Sequence, residues 1–231
     1  MINYYSKYNK HLLALDCIIF GFDKGEIKIL LIKRDFEPAK GRWSLMGGFL
    51  DSEESLDESA QRILYGLTGL KKVFMEQLYT YGDIGRDPGE RTISVAYYAL
   101  LKIEDYDQDL VKKYSAQWHP ISKIPDVIFD HNKMINRALK TLRRKARYRP
   151  IGFELLTEKF TLPQLQSLYE AIYQKKFDKR NFRKKIIVTD LLKKHEEKDM
   201  EGSKKGAYLY SFKRKKYNTL ASKGFNFELY N

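Results

Sequence analysis

The 231-residue chain is 43% apolar and 14% aromatic, enough to bury one large or two modest cores. Its single cysteine, Cys17, and four scattered histidines exclude an internal disulfide and a Cys/His zinc site. No run reaches the roughly eighteen uninterrupted apolar residues of a membrane span, and residues 1–7 lack a charged-then-apolar leader pattern, so a cytoplasmic protein with no membrane partner is expected.

The net charge of +13 is unevenly placed. Residues 1–136 hold 18 basic and 20 acidic side chains, whereas residues 137–231 hold 25 and 10. A near-neutral part is therefore followed by a cationic one. That split suits a polyanion partner for the C-terminal part, or a solvated lysine-rich surface.

In chain order, Leu13–Phe22 and Ile27–Ile32 are apolar runs around the turn Asp23-Lys24-Gly25-Glu26, which predicts a hairpin of buried strands. A short apolar element, Trp43–Phe49, holds two glycines before its end. Asp51–Thr68 starts acidic, repeats Leu56, Ala60, Ile63, Leu64 and Leu67 at helical spacing, and stops at Gly69. Val73–Tyr81 and Thr92–Leu101 read as strands around a polar loop, Gly82–Arg91. Asp130 is placed to cap a helix from about Asn132 to Arg147, with Met134, Ile135, Ala138, Leu139 and Leu142 on one face. A boundary is expected near residues 148–153.

Beyond it, Thr161-Leu162-Pro163-Gln164 is a capping box, and Leu162, Leu165, Leu168, Tyr169 and Ile172 form one stripe of a helix to about Tyr173. Gln174–Phe177 connects to Asp178, a cap for a second helix. At 100° per residue Phe182 and Ile186 face a core. Arg180, Asn181 and Lys184 face solvent, flanked by Lys179, Arg183 and Lys185. Glu201–Gly206 makes a glycine-bounded basic tip with Ser203, Lys204 and Lys205, and Ala207–Phe212 alternates as a half-buried strand. Helix, turn, basic helix and basic-tipped hairpin is the order of a winged helix-turn-helix. An exposed arginine and asparagine suit base edges in the major groove, and lysines suit phosphates. The DNA contacts expected are Lys179, Arg180, Asn181, Arg183, Lys184, Ser203, Lys204 and Lys205.

In the first part, Gly48, Glu54, Arg62, Gly69 and Leu70 match the spacing of the Nudix box, so residues 1 to about 147 resemble a Nudix domain. The resemblance implies glutamates that bind Mg²⁺ at three positions of the helix, where this chain has Ile63, Gly66 and Leu67. Those side chains offer no oxygen to a hard cation. Hence no catalytic residue, no metal and no cofactor is expected. Such a domain can still keep a pocket. The loop Asp83–Arg91 carries arginines suited to phosphate, and a carboxylate–aromatic mix suited to a neutral sugar. Asp16, Arg86, Asp87, Arg91 and Tyr98 are the candidate ligand contacts, with Trp118 near the same cavity. Cys17 reads as a small core residue.

Taken together the chain resembles the Nudix-related transcriptional regulators over nearly its whole length. Pro150–Leu156, Phe160–Glu170 and Asp178–Lys184 are similar to that family's helix-turn-helix, and Arg86-Asp87-Pro88-Gly89 with Asp130-His131 fits its Nudix part. The resemblance implies an α/β (α+β) chain, with a Nudix α/β/α sandwich and mixed sheet over 1–150 and a winged helix-turn-helix over 151–231. Within the family the chain resembles most the Bacteroidetes arabinose-catabolism repressors, and other members sense ADP-ribose. The implied function is a homodimeric repressor on a palindromic DNA operator, released by L-arabinose or a related pentose, with ADP-ribose as the alternative effector. A rival reading is an active Nudix hydrolase of ADP-ribose-like compounds. A third is a protein-docking adaptor.

Overall fold

The computed structural model describes residues 4–69, 73–103, 115–151, 155–200, 205–225 and 227. The first apolar run becomes the central strand Leu12–Asp23 (β1), buried from Leu15 to Gly21. It turns at Lys24 and Gly25, both at positive φ, into Glu26–Lys33 (β2), antiparallel with Ile19 opposite Leu30. This is the expected hairpin. Trp43–Ser44 (β3) lies on the end of β2, and Met46–Phe49 (β4) pairs antiparallel with β1, placing Gly47 opposite Asp16.

Leu56–Thr68 (α1) begins five residues later than its acidic run predicts. Ser55 is the cap: its Oγ accepts from the Glu58 amide at 3.3 Å, and Glu58 Oε2 accepts from the Ser55 amide at 2.8 Å. Gly69, at φ 72°, ends the helix as expected. Met75–Tyr81 (β5) starts two residues later than expected, followed by Thr92–Lys102 (β6) and Ala116–Pro120 (β7). β6 runs parallel to β1 with Leu15 opposite Val95, β5 lies antiparallel outside β6, and β7 pairs with β2. Among the described residues this makes a mixed seven-stranded sheet.

Alternation along β1 and β6 sorts the core into two layers. Leu15, Cys17, Ile19, Val95 and Tyr97 face Ala60, Ile63 and Leu64 of α1. Ile18, Phe20, Ala96 and Tyr98 face His131–Tyr148 (α2), whose Met134, Ile135, Ala138, Leu139 and Leu142 are buried as predicted. The result is the α/β/α sandwich expected from the sequence. Asp130 precedes α2 but makes no side-chain cap hydrogen bond, contrary to expectation, because its carboxylate is held by Arg86.

The second unit comprises Phe160–Thr161 (β8), Leu162–Tyr173 (α3), Lys179–Val188 (α4), Leu192–Asp199 (β9), Ala207–Phe212 (β10) and Arg214–Ala221 (α5). Its sheet order is β8-β10-β9, the arrangement of a winged helix. Thr161 and Gln164 form the capping box, and Asp178 Oδ1 accepts from the Asn181 amide at 2.8 Å. Two elements of this unit, the two-residue β8 and α5, which has no buried residue, have no counterpart in the sequence reading; β9, implied only as the hairpin's first strand, is polar along most of its length and carries no apolar alternation to detect.

The two units share one apolar cluster running from Ile135 and Leu142 through Leu165, Leu168 and Tyr169 to Phe182, Ile186 and Phe227. Arg143 of α2 donates from Nε to the carbonyl of Ile172 at 3.0 Å, and the Tyr173 hydroxyl donates back to the Arg143 carbonyl at 3.2 Å. Among the described residues no helix is long and apolar enough to cross a membrane.

Candidate effector pocket and nucleic-acid interface

Asp16 sits mid-sheet, opposite Gly47 on β4 and Ala96 on β6. A carboxylate there needs donors, because burial without them costs several kcal/mol. Ser94 Oγ donates to Asp16 Oδ2 at 2.5 Å, Arg86 Nη2 stands 3.8 Å from Oδ2, and His131 Nε2 stands 3.6 Å from Oδ1. Gly47 is required at its place: a Cβ would lie 2.7 Å from Asp16 Oδ1.

Arg86 reaches the same spot from the 82–91 loop and is bidentate to Asp130, Nε to Oδ2 at 3.0 Å and Nη2 to Oδ1 at 2.7 Å. The Leu45 amide donates to His131 Nδ1 at 3.0 Å, so a neutral ring carries its hydrogen on Nε2, toward Asp16. Burial holds the His131 pKa below the usual histidine range, favouring that neutral form.

These groups form the floor of a cavity of about 220 Å³. Arg34, Asp35, Phe36, Phe49, Asp87 and Phe129 complete the wall. The Arg34 guanidinium lies 3.7 Å from the Phe36 ring centre and donates from Nε to the Phe36 carbonyl at 3.1 Å. Phe36 and Phe49 are about half exposed, leaving apolar ring surface at the rim.

Of the five ligand contacts expected from sequence, Asp16, Arg86 and Asp87 line this cavity and two do not. Arg91 is spent on its own loop, donating to the carbonyls of Asp83 and Gly82. Tyr98 shares the Asp16 face but lies under α2, where its hydroxyl donates to Glu76 at 2.8 Å. Trp118, expected near the cavity, packs on the α1 side of the sheet, opposite Asp16. Arg34, Phe36, Phe49, Phe129 and His131 also line the cavity and are not among the contacts expected from sequence. The run Arg34-Asp35-Phe36, a charged and aromatic cluster directly after a buried strand, was the available signal.

The Nudix-box helix forms, with Ile63, Gly66 and Leu67 at the three glutamate positions. Arg62 Nε and Nη2 donate to Glu54 at 2.8 and 2.5 Å, and Nη2 also reaches the Phe49 carbonyl at 3.0 Å, tying the loop to β4. Hydrogen bonds from Arg62 hold the Glu54 carboxyl down at about 2. Asp57 accepts from the Tyr97 hydroxyl at 2.6 Å, and Glu58 is folded back on Ser55. Ile63 is buried against Gly48, whose Cβ would stand 3.2 Å from it, and Gly66 has no side chain. Among the described residues no group of three or more His, Cys, Asp or Glu side chains could hold a metal ion. These residues do not fit the divalent cation of a Nudix enzyme.

In the second unit Phe182 and Ile186 anchor α4 in the core, the first tilted against Tyr169 at 6.1 Å between ring centres. The opposite face carries Lys179, Arg180, Asn181, Arg183 and Lys184, all exposed. None of these four cations is drawn into an ion pair among the described residues. Lys205 is exposed at the start of the returning wing strand. Ser203 and Lys204 lie outside the described residues, as do Gly152, Phe153 and Glu154.

Residues 10–139 match the NUDIX domain family, and residues 152–212 match the NrtR DNA-binding winged helix domain. The chain belongs to the NrtR-type Nudix regulators. It is 32% identical over 217 residues to the ADPR responsive transcriptional repressor NtrR of Acinetobacter baylyi, covering 92% of this chain and 86% of that one. It is similar, at 30% identity and a TM-score of 0.79, to the crystal structure of Shewanella oneidensis NrtR complexed with a 27mer DNA, over 93% and 96% of the two chains. The NUDIX domain of that NrtR complexed with ADP ribose matches at 29% identity and a TM-score of 0.51, covering 61% of this chain and 94% of that one. Both units of the NrtR type are thus present in one chain and in the same order.

Proposed function

We propose that the chain is a transcriptional repressor that binds operator DNA through α4 and the wing and is released by an ADP-ribose-type effector held in the Asp16 pocket. The observation that carries this reading is the span of α2. His131, at its start, lines the pocket floor, where the neighbouring Asp130 holds Arg86, and Arg143, toward its end, is hydrogen-bonded to α3 of the DNA-binding unit. A ligand that favours one setting of this helix over another shifts the seat of α4 by its differential affinity. The half-exposed Phe36 and Phe49 rings suit a stacked base, and Arg34 suits a phosphate. The L-arabinose expectation gives way here, because the repressor that matches over 92% of the chain is named for ADPR and the NUDIX domain of the Shewanella oneidensis NrtR is complexed with ADP ribose.

The protein acts as a homodimer on a palindromic operator, and its Nudix unit binds without hydrolysing. The absence of side-chain oxygen at Ile63, Gly66 and Leu67 and the engagement of Glu54, Asp57 and Glu58 support the second statement. A gel-shift titration on the DNA upstream of its own and neighbouring genes, at physiological salt with excess nonspecific competitor, tests the reading. The expected result is a specific shift, two chains per site, that ADP-ribose abolishes. No competitor-resistant shift, or release of AMP from ADP-ribose in Mg²⁺, overturns it.

A further inference from the structure

The exposed face of α4 is cationic over its first turns and apolar over its last. At about 100° per residue, Arg180, Asn181, Lys184, Ile187 and Val188 all fall within about 60° of the direction opposite the buried Phe182 and Ile186. Val188 is 76% exposed and Ile187 44%. Burial does not account for either side chain. Helix propensity does not account for them either, because β-branched residues are poorer helix formers than the lysines beside them.

The end of α4 is tied down, so the two side chains are held outward. Thr189 Oγ1 donates to the Ile186 carbonyl at 2.7 Å, and the Asp190 amide donates to the Ile187 carbonyl at 3.0 Å. Asp190, at φ 49°, turns the chain toward β9, and its carboxylate accepts from Lys213 at 2.7 Å and from Lys216, which joins it to the start of α5. Two aliphatic side chains on a fixed mount are thus presented to whatever the neighbouring cations bind. In the major groove of B-DNA the thymine C5-methyl is the apolar group displayed on a base edge. Along the helix axis Val188 lies about 12 Å from Arg180, at about 1.5 Å per residue, which spans about three to four base pairs at about 3.4 Å each.

Resting on the operator-binding reading above, we propose that Val188, with Ile187 beside it, is a specificity-determining residue that packs on thymine methyl groups, about three to four base pairs from the base read by Arg180. The cations of α4 hold phosphates and hydrogen-bond base edges at one side of each half-site. The apolar end of the same face selects thymine at the other side without a hydrogen bond.

Competition gel shifts of the full-length protein test this on the upstream DNA fragment that it binds, with each thymine in turn replaced by deoxyuridine, which removes a methyl group and nothing else. Replacement at thymines toward one side of each half-site is expected to weaken parent binding about three- to fivefold, the value of one methyl group withdrawn from water. Val188→Ala is expected to bind the unmodified site more weakly by a similar factor and to lose the deoxyuridine effect at those positions, while its response to a base change under Arg180 is kept. Val188 is exposed, so its replacement is expected to leave the fold standing, and the scan on the parent needs no variant. Specific binding in which no deoxyuridine costs the parent as much as about twofold overturns the methyl contact and leaves operator binding standing. A deoxyuridine effect of undiminished size in both Val188→Ala and Ile187→Ala places the methyl contact on another element and overturns it as well. No competitor-resistant shift on any upstream fragment overturns both readings.

Discussion

Arg86 and Asp130, 44 residues apart, form a buried two-bond ion pair that joins the 82–91 loop to the start of α2. Removing one partner of such a pair leaves the other charge in a low-dielectric site, which costs about 3–5 kcal/mol. Asp16, 3.8 Å from the same guanidinium, keeps part of the compensation. Asp130→Asn is therefore expected near the lower end, about 3 kcal/mol, read as a fall in the urea midpoint with unchanged slope. A loss under about 1 kcal/mol would mean that the pair is hydrated like a surface bridge.

Acid should act on this fold in two windows. The Glu54 carboxyl is lowered from an ordinary 4.5 to about 2, so its contribution is complete above 4.5 and is lost as pH falls toward 2. His131 is lowered from an ordinary 6.5, so the unfolded chain takes up its proton first and stability declines as pH falls below 6.5. Denaturant midpoints measured from pH 7 to 2 should fall through both windows. Glu54→Gln should flatten only the one below 4.5, whereas an identical profile in the variant would show that the Arg62 pair adds nothing.

Gly66 lies within the exposed face of α1, and a Cβ there would meet nothing within 4 Å. Glycine inside a helix is destabilising by roughly 0.5–1 kcal/mol relative to alanine. Gly66→Ala is expected to raise the melting temperature by about 1–4 °C, at about 2–4 °C per kcal/mol for a chain of this size. Melting by scanning calorimetry decides the sign, and a lower midpoint would place an unseen constraint at this position.

On α4, the exposed Arg180 and Asn181 side chains, held outward by Phe182 and Ile186, are the proposed base readers. Replacing either by alanine should cost about 1–3 kcal/mol at the cognate operator and relax base preference there. Lys205→Ala should instead weaken all sequences alike and flatten the salt dependence of binding. Competition gel shifts with single-base operator variants distinguish the two behaviours. Parent-like binding by both helix variants would move the base readers off α4.

Local codes were legible in the chain. The Thr161–Gln164 capping box, the Asp178 cap, the Gly69 stop and the apolar stripes of α2 and α3 each involve residues one to four apart, and each formed where it was read. The apolar runs of β1 and β6 predicted strands but not which side chain meets which layer or the pocket, which is why Tyr98, expected at the pocket, lies under α2.

By itself the sequence determined the two units, their order, the missing carboxylates at Ile63, Gly66 and Leu67 and the basic face of α4, because helix periodicity, caps and charge are properties of neighbouring residues. Only the tertiary structure decided the pocket. Asp130 sits where a helix cap belongs, yet a buried guanidinium needs a full negative charge more than a helix end needs a cap, and Arg86 takes it. Asp16, Arg86 and His131 come from a strand, a loop and a helix separated by dozens of residues. Their meeting depends on β1 lying between β4 and β6, with α2 laid across that face.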